Sequence, residues 1–375
     1  MSNKRPNSRG IAALIIYAII YCLYVWKYSY SSRPFPELTL IIYGALAPIV
    51  MVLALSQLTD RFRLILTGRA YVLLITTLAV GFWILMSRFD PSTIQIGRYP
   101  ALLEWNERLF AGQFPYQAHS RPSGFPFLFL LTAPLQLLGE VGLMQILGLL
   151  LFGWVVYSWC GSESGDRFRL LVLLAAAPIT AFEVCVRSEL IANAVMILAA
   201  LELTRRFHTR KAEITPLWLG LFLGLAASTR GVFLPAYLTT LPLVLRQHGS
   251  RYNLKLLGSA VLGFALTLLP FIVWNWDFFW NYGPFSIQMS HIPAVLLATA
   301  FAVSLAGGLT VRSYRAAYFL TGAVLFGIVA VKMIMSLAAH GVAETIEFDN
   351  YFDMAYFGFC LPFVVLPVAD GEQLL

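Results

Sequence analysis

The sequence predicts an all-α membrane protein that crosses the bilayer many times. Three observations carry that prediction. Hydrophobic residues fill 59% of the 375 positions and charged residues only 12%, against about a quarter charged in a soluble chain. Apolar runs recur along the whole length, many of them near the roughly 20 residues that a helix needs to cross the hydrocarbon layer. The basic residues gather in alternate loops, as they do on the cytoplasmic side of membrane proteins.

The first run, 11–27, follows "MSNKRPNSRG", a pattern like a signal peptide's basic start and apolar core. The bulky stretch "KYSYSSRPFP" behind it offers no small-residue cleavage site, so an uncleaved span is expected. Further spans are expected at 37–56, 71–87, 141–160, 168–184, 188–204, 215–229, 231–246, 255–274, 292–310, 316–337 and 353–369, about twelve in all. The run 126–138, "PFLFLLTAPLQLL", is too short to cross and suits an interfacial or re-entrant helix. Charge decides its place. With the N-terminus inside and 126–138 not crossing, Arg61, Arg63, Arg69, Arg167, Arg169, Arg205, Arg206, Arg210, Lys211, Arg246, Arg251, Lys255, Arg312 and Arg315 all fall on the cytoplasmic side. A crossing there would move 205–211 outside. Both termini are therefore expected in the cytoplasm. The expected organisation is one integral membrane domain, 1–375, with a two-span extension at 1–70, a core at 71–290 holding an outer loop at 88–140, and C-terminal spans at 291–375.

The net charge of +7 follows from that topology. No basic stripe or zinc spacing accompanies it, so nucleic acid is not an expected partner. Cys22, Cys160, Cys185 and Cys360 sit in or beside apolar runs with no short spacing, which argues against a disulfide framework or a metal site.

Chemistry is expected in the outer loop 88–140, because rigidly held loops concentrate binding and catalytic residues. Asp90 stands at the mouth of a span. A carboxylate there can act as a general base, with partial burial tuning its acidity, or can simply cap a helix or pair with Arg88. The segment 100–110 reads as a short helix carrying Glu104, Glu107 and Arg108, ended by Gly112 and followed by Pro115. With 126–138 it forms a pair of interfacial helices. The outer side also keeps Lys27, Arg33, Arg88, Arg98, Arg108, Arg121, Arg187 and Arg230 against the topological bias, which points to an anionic ligand or to pairing with nearby carboxylates. Arg187 and Glu189 lie together in "CVRSELIAN", at a depth where charge is costly. Arg230 occupies a tight outer turn, suited to gripping a phosphate bidentately or to snorkelling. Lys332 lies within the span 316–337, and "AHGVAETIEFDNYFD" supplies His340, Glu344, Glu347, Asp349 and Asp353. Those carboxylates could pair with Lys332 or ligate a metal, although their spacing matches no metal motif. The aromatic-rich loop 274–291 around Asp277 reads as a membrane-interface belt.

Asp90 with "YPALLEWNERLFAGQFPYQ" and "RPSGFPFLFLLTAPLQLLG" resembles the GT-C superfamily of polytopic glycosyltransferases, in its polyprenyl-phosphate mannosyltransferase-like branch. That family pairs an acidic residue after a span with an "L-x-G-x-x-P-Y" element, here around Leu109, Gly112, Pro115 and Tyr116, and a Pro-containing interfacial helix. "VRSELIANAVMILAALEL" and "GLFLGLAASTRGVFLPAYLTTLPLVL" resemble its Arg-x-acid turn and its Gly-rich span ending in a basic residue. The likeness covers roughly 70–290. It implies transfer of a sugar from a polyprenyl phosphate to a lipid or glycan acceptor on the outer face, in a bacterial inner or plasma membrane. It implies Asp90 as the catalytic carboxylate, with Glu104 and Glu107 next in line. Arg187 and Arg230 would lie near the lipid phosphate, and Arg98, Arg108, Tyr116, Glu189, Lys332 and His340 complete the expected substrate-binding set. No cofactor is expected, with a divalent metal left open; membrane lipids are the remaining partner. The competing readings are a transporter or flippase for an amphipathic anion and a glycan polymerase or ligase.

Overall fold

In hydrocarbon every backbone polar group must be satisfied within the protein, and the chain does so with helices. The computed structural model describes residues 8–28, 68–91, 98–160, 164–209, 215–348 and 351–369, and among them contains no strand. The expected span 37–56, Arg33, and the basic positions Arg61, Arg63, Arg210 and Lys211 lie outside the described residues. In order come α1 (Ser8–Tyr28), α2 (Gly68–Ser87), α3 (Tyr99–Phe110), α4 (Pro126–Leu137), α5 (Leu143–Cys160), α6 (Ser164–Ala175), α7 (Pro178–Cys185), α8 (Leu190–Thr209), α9 (Pro216–Ala227), α10 (Leu234–Leu245), α11 (Ser250–Trp274), α12 (Trp276–Tyr282), α13 (Pro284–His291), α14 (Ala294–Thr310) and α15 (Tyr314–Val342). Among the described residues five helices are long and apolar enough to cross a membrane, or seven if each of two bent pairs counts as one span. The chain is an all-helical, multi-pass membrane protein.

Several expected spans take a different form. The run 168–184 is broken into α6 and α7, bent by 56° ahead of Pro178, whose ring has no N–H to continue a helix. The run 215–229 yields only the 12 residues of α9, roughly 18 Å at 1.5 Å per residue. The last expected span, 353–369, is not one helix. It is two 3₁₀ turns, Met354–Phe359 and Leu366–Val368, around the single turn α16, Leu361–Val365. Pro362 and Pro367 interrupt the hydrogen-bond ladder. This irregular segment is buried almost throughout, with Phe357, Cys360, Leu361, Phe363 and Val364 all fully enclosed. Irregular backbone at membrane depth is tolerated where protein surrounds it.

The centre of the bundle is α8. From Leu190 to Leu201 all but one of its residues are buried, so helices surround it on every side. A close pair, α9 and α11, flanks it. Gly220 and Gly224 stand one turn apart on α9 and face the backbone of Leu256 and Ala260, while Gly263 on α11 faces Leu221; a Cβ at any of the three would collide with a carbonyl group. Small residues at this spacing let membrane helices approach closely.

Helix direction sorts the molecule into two ends. Arg169 and Arg315 donate to the carbonyls of Val368 and Pro367, and Arg246 donates to those of Gly308 and Val311. With Arg205 they mark a basic end. Glu189, ahead of α8, lies about 24 Å from Arg205 by helical rise and marks the other. The helix α4 begins and ends at that second end. Phe125 N–H donates to Thr229 O at 2.8 Å and Phe127 N–H to Ser228 O at 3.2 Å, capping the carbonyls left open where α9 stops. Beyond α4, Glu140 pairs with Arg187 at 3.4 Å.

The segment 98–140 forms its own core at this end. Trp105 of α3 is fully buried and stacks on Phe129 of α4, centroids 4.7 Å apart, and Asn106 donates to Thr132 at 3.1 Å. Tyr116, Phe271 and Phe279 close the cluster edge-on. The left-handed Gly112, φ +68, lets the chain leave α3 after Ala111 N–H has bonded Glu107 O, a glycine stop of the expected kind.

Candidate functional site: an arginine-lined cavity

The turn between α7 and α8 organises the site. Glu183 is completely buried and its Oε2 accepts from the N–H groups of Leu190 and Ile191 at 3.0 and 3.4 Å. A carboxylate at a helix start satisfies open donors and meets the positive end of the helix dipole. The tight reversal forces Arg187 to φ +48, which costs a non-glycine residue about 1 kcal/mol or more. Arg121 is the other described non-glycine residue there, at φ +50. Both strained arginines lie at the same end of the bundle.

Arg187 turns its guanidinium into the scaffold. It donates to Phe89 O at 2.6 Å, Met86 O at 2.9 Å and Cys185 O at 3.0 Å, and pairs with Glu140. It fastens the end of α2 to the α7–α8 turn. Glu189, two residues on, points elsewhere and forms a buried ion pair with Arg230. Arg230 Nη1 also donates to Ser123 Oγ at 3.2 Å, and Arg98 Nη1 donates to the same oxygen at 3.3 Å. Arg98 lies 3.7 Å from Asp353 and its guanidinium covers the Tyr356 ring at 4.8 Å.

These groups enclose a cavity of about 160 Å³, lined by Arg98, Arg121, Arg230, Ser120, Ser123 and Glu189 over a floor that includes Leu102 and Phe129. Three arginine residues thus line one small space against one acidic residue. Arg98 Nε, Arg230 Nε and Glu189 Oε2 are buried without a hydrogen-bond partner. Buried polar atoms left this way are uncommon, and here they belong to residues that line an opening large enough for a polar group. Among the described residues, no group of three or more His, Cys, Asp or Glu side chains is placed to hold a metal ion.

Of the expected site residues, the structure brings Arg98, Glu189 and Arg230 together and leaves the others elsewhere. Asp90 is exposed at the end of α2, and it is not part of the cavity lining. Glu104 accepts from His119 N–H at 2.5 Å and Ser120 N–H at 2.9 Å and pairs with Arg108 at 3.8 Å. Partial burial works to raise its pKa, but the two backbone donors, the Ser120 hydroxyl and Arg108 outweigh it and hold the carboxyl below its usual value. Glu107 is exposed on α3. Tyr116 is buried and donates to Gly124 O at 2.9 Å. Lys332 lies part-buried on α15, and His340 stacks on Tyr351 at 3.7 Å. Asp353, one of the carboxylates expected to pair with Lys332, pairs instead with Arg98. Ser120 and Ser123 carried no sequence signal beyond their place in "HSRPSG", since a turn serine reveals its partners only once two distant arginines converge on it. Comparison with protein-family models, curated proteins and solved structures finds no match.

Proposed function

We propose that the chain is a membrane glycosyltransferase of the polytopic class it resembles, moving a sugar from a polyprenyl phosphate to a lipid or glycan hydroxyl at the outer face. The observation that carries this reading is the convergence of Arg98, Arg121 and Arg230 on one cavity, at the end opposite the basic loops. A planar guanidinium fork matches a phosphate better than any other side chain. At about 160 Å³ the cavity suits a head group and not a whole lipid, since sites for drug-sized ligands run from roughly 300 Å³ upward. The polyprenyl tail would lie between helices, in the bilayer. The proposed topology places this end outside, both termini inside and α3 with α4 along the interface, within a chain of about twelve crossings.

The chemistry follows from the groups present. Glu189 Oε2 has no partner and its residue lines the cavity, so it accepts the proton of the acceptor hydroxyl. The acceptor's hydroxyl oxygen bonds the anomeric carbon, and the carbon–oxygen bond to the phosphate breaks with its electron pair passing to the phosphate. Arg98 and Arg230 stabilise the charge that develops there. A phosphate on Arg230 also releases Glu189 from its ion pair, which couples donor binding to the freeing of the base. This assigns to Glu189 the role that the resemblance gives Asp90.

Farnesyl phosphate binding to the protein in nanodiscs, with transfer from a radiolabelled polyprenyl-phosphate sugar, tests the proposal. Binding should weaken by about 1.5–3 kcal/mol when either Arg98 or Arg230 is changed to Gln. Glu189→Gln should abolish transfer and leave binding intact or tighter. Undiminished binding in both arginine variants would remove the phosphate site and leave anion transport as the better reading.

A further inference from the structure

At the same end of the bundle α12 and α13 form an aromatic elbow that the proposed reaction does not use. Along α11 the residues Leu254, Val261, Leu266, Leu269 and Val273 are exposed at helical spacing, the stripe of a span that faces lipid. Past the end of that stripe Trp274, Trp276, Trp280, Tyr282 and Met289 are exposed as well. Aliphatic residues giving way to Trp and Tyr is the pattern of a helix leaving the hydrocarbon for the head-group layer. Asn275 turns the chain at this point, its side chain accepting from Phe278 N–H at 3.1 Å to start α12. The elbow is bent by 72° from α14, the apolar helix that follows it. If α14 crosses, the elbow lies nearly flat in the interface.

The inner side of the elbow reaches the arginine cavity through one residue. Gln288 Nε2 donates to Ser123 O at 2.6 Å, and Gln288 Oε1 accepts from Gly231 N–H at 3.0 Å. Ser123 is the residue whose hydroxyl holds both Arg98 and Arg230, and Gly231 follows Arg230 directly. One amide thus bridges the two chain segments that set the spacing of the guanidinium groups. Phe285 on the elbow packs on Phe125 at 4.9 Å and supports the same link.

We propose that the elbow is a membrane-interface anchor, seated at the boundary of head groups and acyl chains, and that Gln288 is a positioning residue through which this seating holds the arginine cavity in shape. Part of the test rests on the phosphate reading and part does not. In vesicles of phosphatidylcholine brominated near the head group, the fluorescence lost in W276F/W280F should be strongly quenched, and less so with bromine near the chain ends; quenching by aqueous acrylamide alone would overturn the anchor. Amide hydrogen exchange of the full chain in nanodiscs should show Gly231 exchanging about tenfold faster in Gln288→Ala. It should show the same direction of change in W276S/W280S, because unseating the elbow slackens the bridge. Protected Gly231 in the tryptophan variant would overturn the coupling, whatever the ligand. Farnesyl phosphate affinity should fall about five- to tenfold in Gln288→Ala, and by less in Gln288→Glu, which still accepts from Gly231. A purely structural Gln288 would lower the melting temperature and leave the affinity of the folded protein unchanged. Binding lost in no variant, with exchange altered as expected, would break the phosphate reading and spare the anchor.

Discussion

The two ends of the bundle use arginine differently: backbone carbonyls take part of the load at one end, beside local carboxylates such as Asp166, and side chains take it at the other. At the basic end, Arg246 and Arg315 turn their guanidinium groups onto backbone carbonyls, of Gly308 and Val311 and of Pro367, while Arg205 pairs with the buried Glu202 at 2.6 Å. The three carbonyls are open acceptors where a helix and the irregular C-terminal segment stop, and cations are favoured at such helix ends by the dipole as well. At the other end, Arg98 and Arg230 both donate to the Ser123 side chain and pair with the carboxylates of Asp353 and Glu189 respectively. A carbonyl belongs to the fold and cannot be exchanged without unravelling a helix. A side-chain partner can be exchanged for a ligand oxygen. Arg187 sharpens the contrast, because it lies at the cavity end and nevertheless behaves like the first group.

Substitutions can break this comparison. The largest effect is expected for Arg187→Ala, which strips three carbonyls of a donor and leaves Glu140 with only the Gly142 N–H as partner. It should destabilise the protein by about 3 kcal/mol, read by thermal unfolding in detergent, while anion affinity of the folded fraction holds. A loss of affinity without a loss of stability would move Arg187 into the ligand-binding group.

Next comes Arg230→Lys, which keeps the charge and loses the fork. Farnesyl phosphate affinity should drop by about 1–2 kcal/mol with little change in melting temperature, since the lysine still neutralises Glu189. A full return of affinity would mean that only charge matters at this position.

Glu104 gives the comparison a pH dependence. Its pKa is lowered in the folded protein, so its contribution is present above the ordinary carboxylate pKa and fades as pH falls through the lower folded value. Glu104→Gln should cost about 1 kcal/mol at neutral pH and nothing once the carboxyl is protonated in both states. Melting curves of the two proteins between neutral and strongly acidic pH should converge; parallel curves would refute the assignment.

Smaller still is Arg246→Ala at the basic end. Its side chain is exposed, so the loss should stay near 1 kcal/mol with no change in anion binding. The least effect is expected for Asp90→Asn. Exposed and away from the cavity, it should leave stability within about 0.5 kcal/mol and transfer nearly intact. Abolished transfer would return the catalytic role to Asp90 and displace Glu189.

Composition and periodicity determined the helical, multi-pass class, because hydrocarbon admits few other backbones. They placed α3 at 100–110 and α4 at 126–138 within a residue, since Pro126, Gly112 and Pro115 act on the chain locally. They also separated the basic loops from the residues now seen at the opposite end. Where the sequence misled, the cause was a distant contact. The run 353–369 has a span's hydropathy, yet Pro362 and Pro367 break it and neighbouring helices supply the burial that lets it stay broken. Arg187 and Arg230 look alike in sequence, each at the end of an apolar run. Only the tertiary structure decided that one faces the carbonyls of Met86 and Phe89 and the other Glu189 and Ser123. Glu104 and Tyr116 were legible as a carboxylate and an aromatic in a chemical loop, but their partners, the His119 and Ser120 amides and the Gly124 carbonyl, exist only once the loop has folded onto itself. The meeting of Arg98, Ser123, Glu189 and Arg230 spans more than a hundred residues of chain. No local propensity encodes such a meeting; it follows from the packing that brings three helix ends to one place.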